Sequence, residues 1–567
     1  MAGKVRIAHL SGPTATIQNT PPLVTSNKAR AKRGLPLLVD RTGATHAFDA
    51  LRPQRLAAPA KVYVEQFSAH PLEGDMSELY GPPDGYMGAD GVFRRERAGA
   101  DDKPVYEVEL RPEDGLYPLP YMAVQADGRA WEEECAEPGA EAARARQSFF
   151  PDGSRSFEEI DRLSIGLNGL PNMISSVATV DFYRGAPPSG FTKGLPSHLR
   201  TDVGEGDIPA EGYGKDFFPY KPYQLAAAPP RPMLAKVTND MQALSSSGAY
   251  EGIIWTQGSP QVEESAYWFN LLVDTTLPIC CNAAQRPQGQ ISNDGPANIV
   301  DSVHFIASRV WVDDRGRNRC GTVVIQEHQF FAARDVAKVD ARPGGYTATG
   351  GHGGIIGQIN HIGGLALTYL PVYKHTYLSD VRITQLPDTV TAVRRKGRSI
   401  ERVQVKVKDA GDKLLADAIP VVSIIKDGSY SSLDFGEDES LEVDLIASVE
   451  HKLTMGRLSG FIVEGMIPSG GSPSPARHKL MKRATFSGIP VAKVGRGNTA
   501  GFATPRSHEF QIAASNLTAT KARLLLMACL LKLGSLPAAK DPDNPTDEEQ
   551  AATRKALAAY QRIFDSH

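Results

Sequence analysis

Apolar positions along this chain follow two rhythms, and the change between them marks its organisation. Residues 4–10 (KVRIAHL) alternate in the two-residue period of a strand, and a loop rich in Gly, Pro and Thr follows. From 231 onward, short apolar runs alternate with stretches of helical spacing. MLAKVTNDMQALSS (233–246) reads as helix and YEGIIWTQG (250–258) as a strand ending in glycine. VEESAYWFNLLVD (262–274) reads as an amphipathic helix, LPICCNAA (277–284) as a strand and ANIVDSVHFIAS (297–308) as a helix. Glu263 and Glu264 fall in a first helical turn, where the helix dipole favours carboxylates. GTVVIQEHQFFAA (321–333) is strand-like, and GGIIGQINHIGG (353–364) reads as turn and hairpin. Apolar strands alternating with helices predict a parallel sheet with both faces covered.

The rhythm pauses at 385–417, which reads as an extra hairpin and linker with the basic run VRRKGRSIER at a solvated tip. It resumes with strands in AIPVVSIIKDG (418–428), SGFIVEGMIPSGG (459–471) and IPVAKVGRG (489–497). ARHKLMKRATFSG (476–488) is a helix closed by Gly488, and TATKARLLLMACLLKLG (518–534) an apolar helix closed by Gly534. DFGEDESLE reads as loop and helix start, and TDEEQAATRKALAAYQRIF (546–564) as a capped last helix. Residues 78–230 break the pattern. Gly, Pro, Tyr and Phe crowd together there, and the one acidic helix candidate, 131–147, is interrupted by Pro138. This stretch reads as an inserted, loop-rich subdomain.

Composition narrows the function classes. The chain has 567 residues, 41% hydrophobic and 22% charged, enough for several buried cores. A formal net charge of −3 gives no basic excess for nucleic acid. No apolar run reaches the roughly 18 residues of a membrane span, and the N-terminus reads as a first strand rather than a signal peptide. The five cysteines form no CxxC pair, which fits reduced thiols in a cytoplasmic protein, with Cys280 and Cys281 packed in a core. His352 and His361, nine apart in a glycine-rich stretch, fit no zinc spacing. GRGNTAG and GGYTATGGHGG lack the full pattern of a phosphate loop.

Reactive groups in open α/β sheets gather on loops at the carboxyl ends of parallel strands. Three such loops carry hydroxyls or an amine: Ser11, Thr14 and Thr16 after the first strand, Thr256-Gln257-Gly258-Ser259-Pro260 after EGIIW, and ARDVAKVDA with Lys338. Each alone is an ordinary turn. Their joint order is more specific. TQGSPQVEESAYWFNLLVDTTLPICCNAAQRPQGQISNDGPANIVDSV resembles the central motif of bacterial L-asparaginases/glutaminases, through Gly258, Glu263-Glu264-Ser265-Ala266, Arg286-Pro287, Ser292, Asp294-Gly295-Pro296 and Asn298. KVRIAHLSGPT, VEQFSAHPLEGDM, ARDVAK, KHT (374–376), GIPVAKVGRG and NLTATKARLLLMA are similar to further family segments.

The resemblance implies an α/β fold of two domains: a parallel-sheet N-terminal domain formed by 1–77 and 231–384, and a smaller α/β C-terminal domain at 418–567. The insertions lie at 78–230 and 385–417. It implies a covalent mechanism without metal or organic cofactor. Thr14 matches the family's first-loop threonine, whose hydroxyl attacks the amide; Ser259 replaces the second threonine, which gives acid/base help, and Lys338 matches the lysine that holds it, so Thr14 and Ser259 are both candidate nucleophiles. A hydroxyl is a poor nucleophile without a positioned base, and Lys338 is the candidate. Substrate-contact positions fall at Asn27, Leu72 or Glu73, Gly258, Pro260 and Ala284. Several depart from the family. Pro260 replaces the aspartate that binds a substrate α-amino group, Leu72 or Glu73 the carboxylate-binding serine, and Asn27 the lid tyrosine; Pro13, Gln257 and Gln285 replace a Gly, a His and a Met. Machinery for amide attack is thus expected with altered recognition: a small-molecule carboxamide, imide, lactam or related acyl substrate lacking a free α-amino acid head. Alternatives are a genuine asparaginase or glutaminase with relocated binding groups, and a non-catalytic binding protein. The resemblance also implies a homo-oligomer, a dimer or tetramer, with a neighbour completing each site and Glu509 near the donated glutamate.

Overall fold

The computed structural model describes residues 4–12, 51–54, 60–64, 84–87, 93–100, 102–110, 117–120, 177–182, 230–286, 294–349, 354–360, 364–432, 436–466, 470–471, 474–497 and 509–567. The chain divides into two compact units: Met1–Ala228 with Trp255–Gly258 and Arg286–Pro296, and Pro229–Ile254 with Ser259–Gln285 and Ala297–His567.

In the first unit, β1 (Val5–Ser11) is followed by β2 (Leu51–Gln54), β3 (Ala60–Val64), β4 (Gly85–Met87), β5 (Phe93–Arg94), β6 (Lys103–Leu110), β7 (Tyr117–Pro120) and β8 (Ala178–Phe182). β1 pairs in parallel with β8, from Val5 opposite Ala178 to His9 opposite Phe182. On its other side lies the end of β9 (Gly252–Thr256), whose last two residues belong to this unit. Ile7, Ala8 and Leu10 are fully buried. His9 is buried too, and desolvation lowers its pKa to about 3, so the ring is neutral; its Nε2 lies 3.0 Å from Thr256 Oγ1. The Gly12 N–H donates to the Thr256 carbonyl at 2.5 Å. A Cβ at Gly12 would stand 2.5 Å from the Trp255 ring, so only glycine fits this crossing.

Two pairings cross the expected limits of the insertion. β8 comes from within 78–230 yet extends the sheet of β1, and β3 pairs with β6 across the 77/78 boundary. The stretch also holds the antiparallel sheet β3-β6-β4-β5, so it is richer in strands than its Gly and Pro content predicts. The helix candidate at 131–147 lies outside the described residues.

The second unit opens with α1 (Pro230–Ser246), and β9 contributes Gly252–Ile254. α2 (Val262–Leu272), β10 (Ile279–Asn282), α3 (Gly295–Ser308) and β11 (Thr322–Gln326) follow the expected alternation. β12 (Gln329–Ala332), β13 (Val336–Lys338), β14 (Tyr346–Ala348), β15 (Ile355–Ile359) and β16 (Leu365–Leu367) come next. The strand order is β16-β15-β12-β11-β10-β9, with β10 and β11 parallel and β12, β15 and β16 added antiparallel. The run 321–333 is therefore two strands rather than one. They reverse at Glu327 and His328, whose φ values of 48° and 64° suit a two-residue hairpin turn. β15 and β16 form the hairpin expected within 353–364, displaced toward 367. α2 sinks Trp268, Phe269, Leu271 and Leu272 completely, each contributing about 1.5–3 kcal/mol by burial. Trp268 Nε1 also donates to Thr238 Oγ1 of α1 at 2.8 Å.

β17 (Thr389–Lys396) and β18 (Ser399–Lys406) form the hairpin expected at 385–417, turning at Gly397 with φ 63°. It is more than decoration. Val393 joins the core of α4 (Val443–Met455), β20 (Ser459–Gly465) and α5 (Pro475–Phe486) through Val449, Leu453, Phe461 and Leu480. β19 (Val421–Lys426), β20, β21 (Val491–Gly495) and β22 (Ile512–Ala513) make an all-parallel sheet in that order. α6 (Ala519–Leu533) is capped by Thr518, and α7 (Asp547–Ser566) by a Thr546–Glu549 capping box. Among the described residues no helix is long and apolar enough to cross a membrane, and no cluster of three or more His, Cys, Asp or Glu is placed to hold a metal ion.

Candidate active site

Ser259 starts the turn between β9 and α2, Gln285 ends the short segment after β10, and Lys338 closes β13. The fold brings all three together. Ser259 Oγ donates to Gln285 Oε1 at 3.4 Å, and Lys338 Nζ donates to the same oxygen. The Tyr346 hydroxyl donates to Ser259 Oγ at 2.9 Å. β13 and β14 are antiparallel with Lys338 directly opposite Tyr346, so a cation and a phenol rise side by side, the ammonium 5.9 Å from the ring centre. Ser259, Gln285 and Lys338 are partly buried, and Tyr346 is buried.

Motif residues brace the segments that carry these four. Glu263 Oε2 accepts the Lys338 backbone N–H at 2.5 Å, fixing the strand end that carries the amine. Burial raises the Glu263 pKa, opposed by the nearby Lys521 charge and by that N–H. Lys521 of α6, fully buried, donates to the Glu263 carbonyl at 2.5 Å and the Ala333 carbonyl at 2.7 Å; desolvation lowers its pKa to about 8. Glu264 pairs with Arg523 at 2.6 Å. Asn298 is buried and bridges two strand ends: its Nδ2 donates to the Ala283 carbonyl at 2.8 Å, and its Oδ1 accepts the Glu327 N–H at 3.0 Å. Within the first unit, Asp294 Oδ1 accepts the Arg286 N–H at 2.8 Å. Arg334 donates to the His567 carbonyl at 2.6 Å and to Asn516 at 2.9 Å, pairs with Asp335 at 2.7 Å and lies 3.6 Å above the Tyr373 ring.

Of the residues singled out from sequence, Ser259 and Lys338 meet on one acceptor. Gly258 and Ala284 are partly buried neighbours in sequence of Ser259 and Gln285, and Pro260 is exposed. Thr14, Asn27, Leu72, Glu73, His352 and His361 lie outside the described residues. Glu509 is exposed and pairs with Arg554 at 2.6 Å. Tyr346 went unnoticed in the sequence; its signal is the register opposite Lys338, which exists only once β13 and β14 pair. Cys280 and Cys281 are fully buried, as their apolar run predicted.

Residues 231–346 match the family model described as asparaginase, N-terminal. The chain is 34% identical over 105 residues to a glutaminase-asparaginase of Acinetobacter glutaminasificans, covering 18% of this chain and 29% of that protein. It is 25% identical over 304 residues to L-asparaginase 2 of Bacillus subtilis, covering 53% of this chain and 66% of that protein. The matched stretches thus span from under a third to just under two thirds of these relatives. A probable cytoplasmic L-asparaginase from Campylobacter jejuni superposes with a TM-score of 0.42 at 20% identity, covering 59% of this chain and 83% of that one. The four motif blocks, the Ser259–Gln285–Lys338 meeting point and the match over 231–346 agree: this stretch of the chain is similar to the N-terminal domain of asparaginases.

Proposed function

We propose that this protein is an amidohydrolase that acts through an acyl-enzyme on a carboxamide, imide, lactam or related acyl substrate lacking a free α-amino acid head. One observation carries the reading. Ser259 and Lys338 share the amide oxygen of Gln285, so among the described residues the ammonium bonds an amide where the family resemblance expects a neighbouring carboxylate. Pro260 stands at that carboxylate's position and offers a substrate ammonium nothing. Amide hydrolysis needs a nucleophile, a proton path and an oxyanion donor. Thr14 of the first loop or Ser259 supplies the first of these roles, and Lys338 assists it. Four buried cysteines, all unpaired, support a reducing, cytoplasmic setting. Assembly into a homo-oligomer belongs to the same proposal and is read by sedimentation.

A second reading has its own support. The relatives are named L-asparaginase and glutaminase-asparaginase, which favours Asn or Gln as substrate. An ammonia-release and mass-shift screen across Asn, Gln, simple amides, imides and lactams, with Lys338→Met as control, separates the two. Turnover of headless amides that Lys338→Met abolishes supports the first reading. Turnover confined to Asn or Gln overturns it in favour of the second.

A further inference from the structure

We propose that Tyr346 is a catalytic residue, the proton acceptor and donor for Ser259. The identity of the acyl group rests on the amidohydrolase reading, but the activation of Ser259 does not. Three observations lead to it. The Tyr346 hydroxyl, at 2.9 Å, is closer to Ser259 Oγ than Gln285 is at 3.4 Å. Lys338 does not bond Ser259; its ammonium is committed to the Gln285 oxygen, which stands between amine and alcohol. Tyr346 is only 8% exposed, and its ring sits beside the Lys338 ammonium, 5.9 Å from ring centre to Nζ.

A proton leaving Ser259 has two places to go. The Gln285 amide oxygen is already taken by a cation and is a very weak base. The phenol oxygen is the stronger base once ionised; the ammonium across the hairpin works toward that form, and burial of the ring works against it. Lys338 then acts through Tyr346 instead of directly on the alcohol. The charged groups facing this hairpin are Lys338 on β13, the ion pair of Asp340 and Arg342 on its turn, Glu263 on α2 and Glu327, whose carboxylate lies against Gly344.

The step balances as follows. The Tyr346 phenol, which donates to Ser259 in the resting structure, first gives its proton to solvent; as Ser259 Oγ bonds the acyl carbon, its proton passes to the resulting phenolate and the carbonyl electron pair moves onto oxygen. When that pair returns, the C–N bond breaks and the Tyr346 proton goes to the departing nitrogen. Water then attacks the ester, giving a proton to Tyr346, and the C–Oγ bond breaks as that proton returns to Ser259. The free acid and the amine are the products.

The test uses the full chain and a fluorophosphonate probe, which phosphonylates an activated serine with loss of fluoride and needs no knowledge of the substrate. Labelling of Ser259, located by peptide mass spectrometry, is expected to slow at least about 10²-fold in Tyr346→Phe, the usual scale for losing a general base. Circular dichroism of the variant reports its folding. A fluorinated tyrosine incorporated at 346, a more acidic phenol of nearly the same shape, is expected to move the rising limb of labelling rate against pH to lower pH. A purely structural tyrosine would leave that limb in place. Wild-type labelling at Tyr346→Phe rates, an unmoved limb, or no labelling of Ser259 in the wild type each overturns the proposal. Labelling as expected together with silence in the amide screen would sink the substrate reading alone.

Discussion

Asn298→Ala tests the claim that the motif asparagine serves the site by tying two strand ends together. Its side chain is fully buried and makes two backbone bonds, one to the Ala283 carbonyl at 2.8 Å and one from the Glu327 N–H at 3.0 Å. Truncation leaves both groups without that partner. A buried group left unsatisfied costs about 1–3 kcal/mol. Glu327 sits at a turn where water substitutes in part, so the expected loss is about 2–4 kcal/mol. The loss is local, at the ends of β10 and β11, and hydrogen exchange read by mass spectrometry is the assay. At about 1.4 kcal/mol per tenfold, amides in peptides covering 279–286 and 322–327 should exchange roughly 30- to 700-fold faster. Peptides from β19–β21 serve as the internal reference and should not change. Asn298→Asp sharpens the test. The new carboxylate still accepts from Glu327 but faces the Ala283 carbonyl without a proton to donate. Burial and that opposing carbonyl raise its folded pKa above the unfolded one. The variant should therefore be most protected below the ordinary carboxylate range and lose protection as pH rises through the raised value. Asn298→Ala exchange within threefold of the parent in both segments would refute the reasoning.

Three further outcomes follow from the same geometry. Glu263→Gln keeps an acceptor for the Lys338 N–H and removes a carboxyl whose folded pKa is raised above 4.5; the wild type should lose stability relative to the variant as pH rises through that raised value, read as thermal midpoints between pH 4 and 7. Lys521 has its pKa lowered from 10.5 to about 8, so the wild type should gain stability relative to Lys521→Met as pH climbs from about 8 to 10.5, by at most about 3 kcal/mol, and parallel curves would contradict this. Arg523→Ala removes an ion pair with Glu264 in which both side chains are about a third exposed, and denaturation should show a loss no larger than about 1 kcal/mol.

The sequence was legible where chemistry and periodicity coincide. The apolar runs at 250–258 and 277–284 and the spacing of 262–274 marked β9, β10 and α2, and the motif blocks between them singled out Ser259. Lys338 was visible for the same reason, in a short motif after a strand. Contacts made by register were not visible. Tyr346 is one of 18 tyrosines and acquires meaning only when β14 folds back beside β13. Gln285 stood out as a departure, yet nothing in its neighbours announced that its oxygen would hold both the alcohol and the amine. The 321–333 run hid a reversal because Glu327 and His328 adopt positive φ without a glycine to mark it. β8 was hidden by its surroundings, since five strand residues amid Gly and Pro carry too little pattern to read.

Arg334 bonds groups from four separate stretches: Asp335 beside it, the Tyr373 ring, Asn516 ahead of α6 and the His567 carbonyl beyond α7. It lies four residues before the amine. The site's lysine is therefore anchored by parts of the polymer some two hundred positions away. Drift at 373 or 516 is not free to proceed alone, because a change there shifts the mooring of the reactive strand. Related chains should show these positions exchanging in concert, and distant substitutions near 516 should alter turnover while leaving every group at the reaction centre in place.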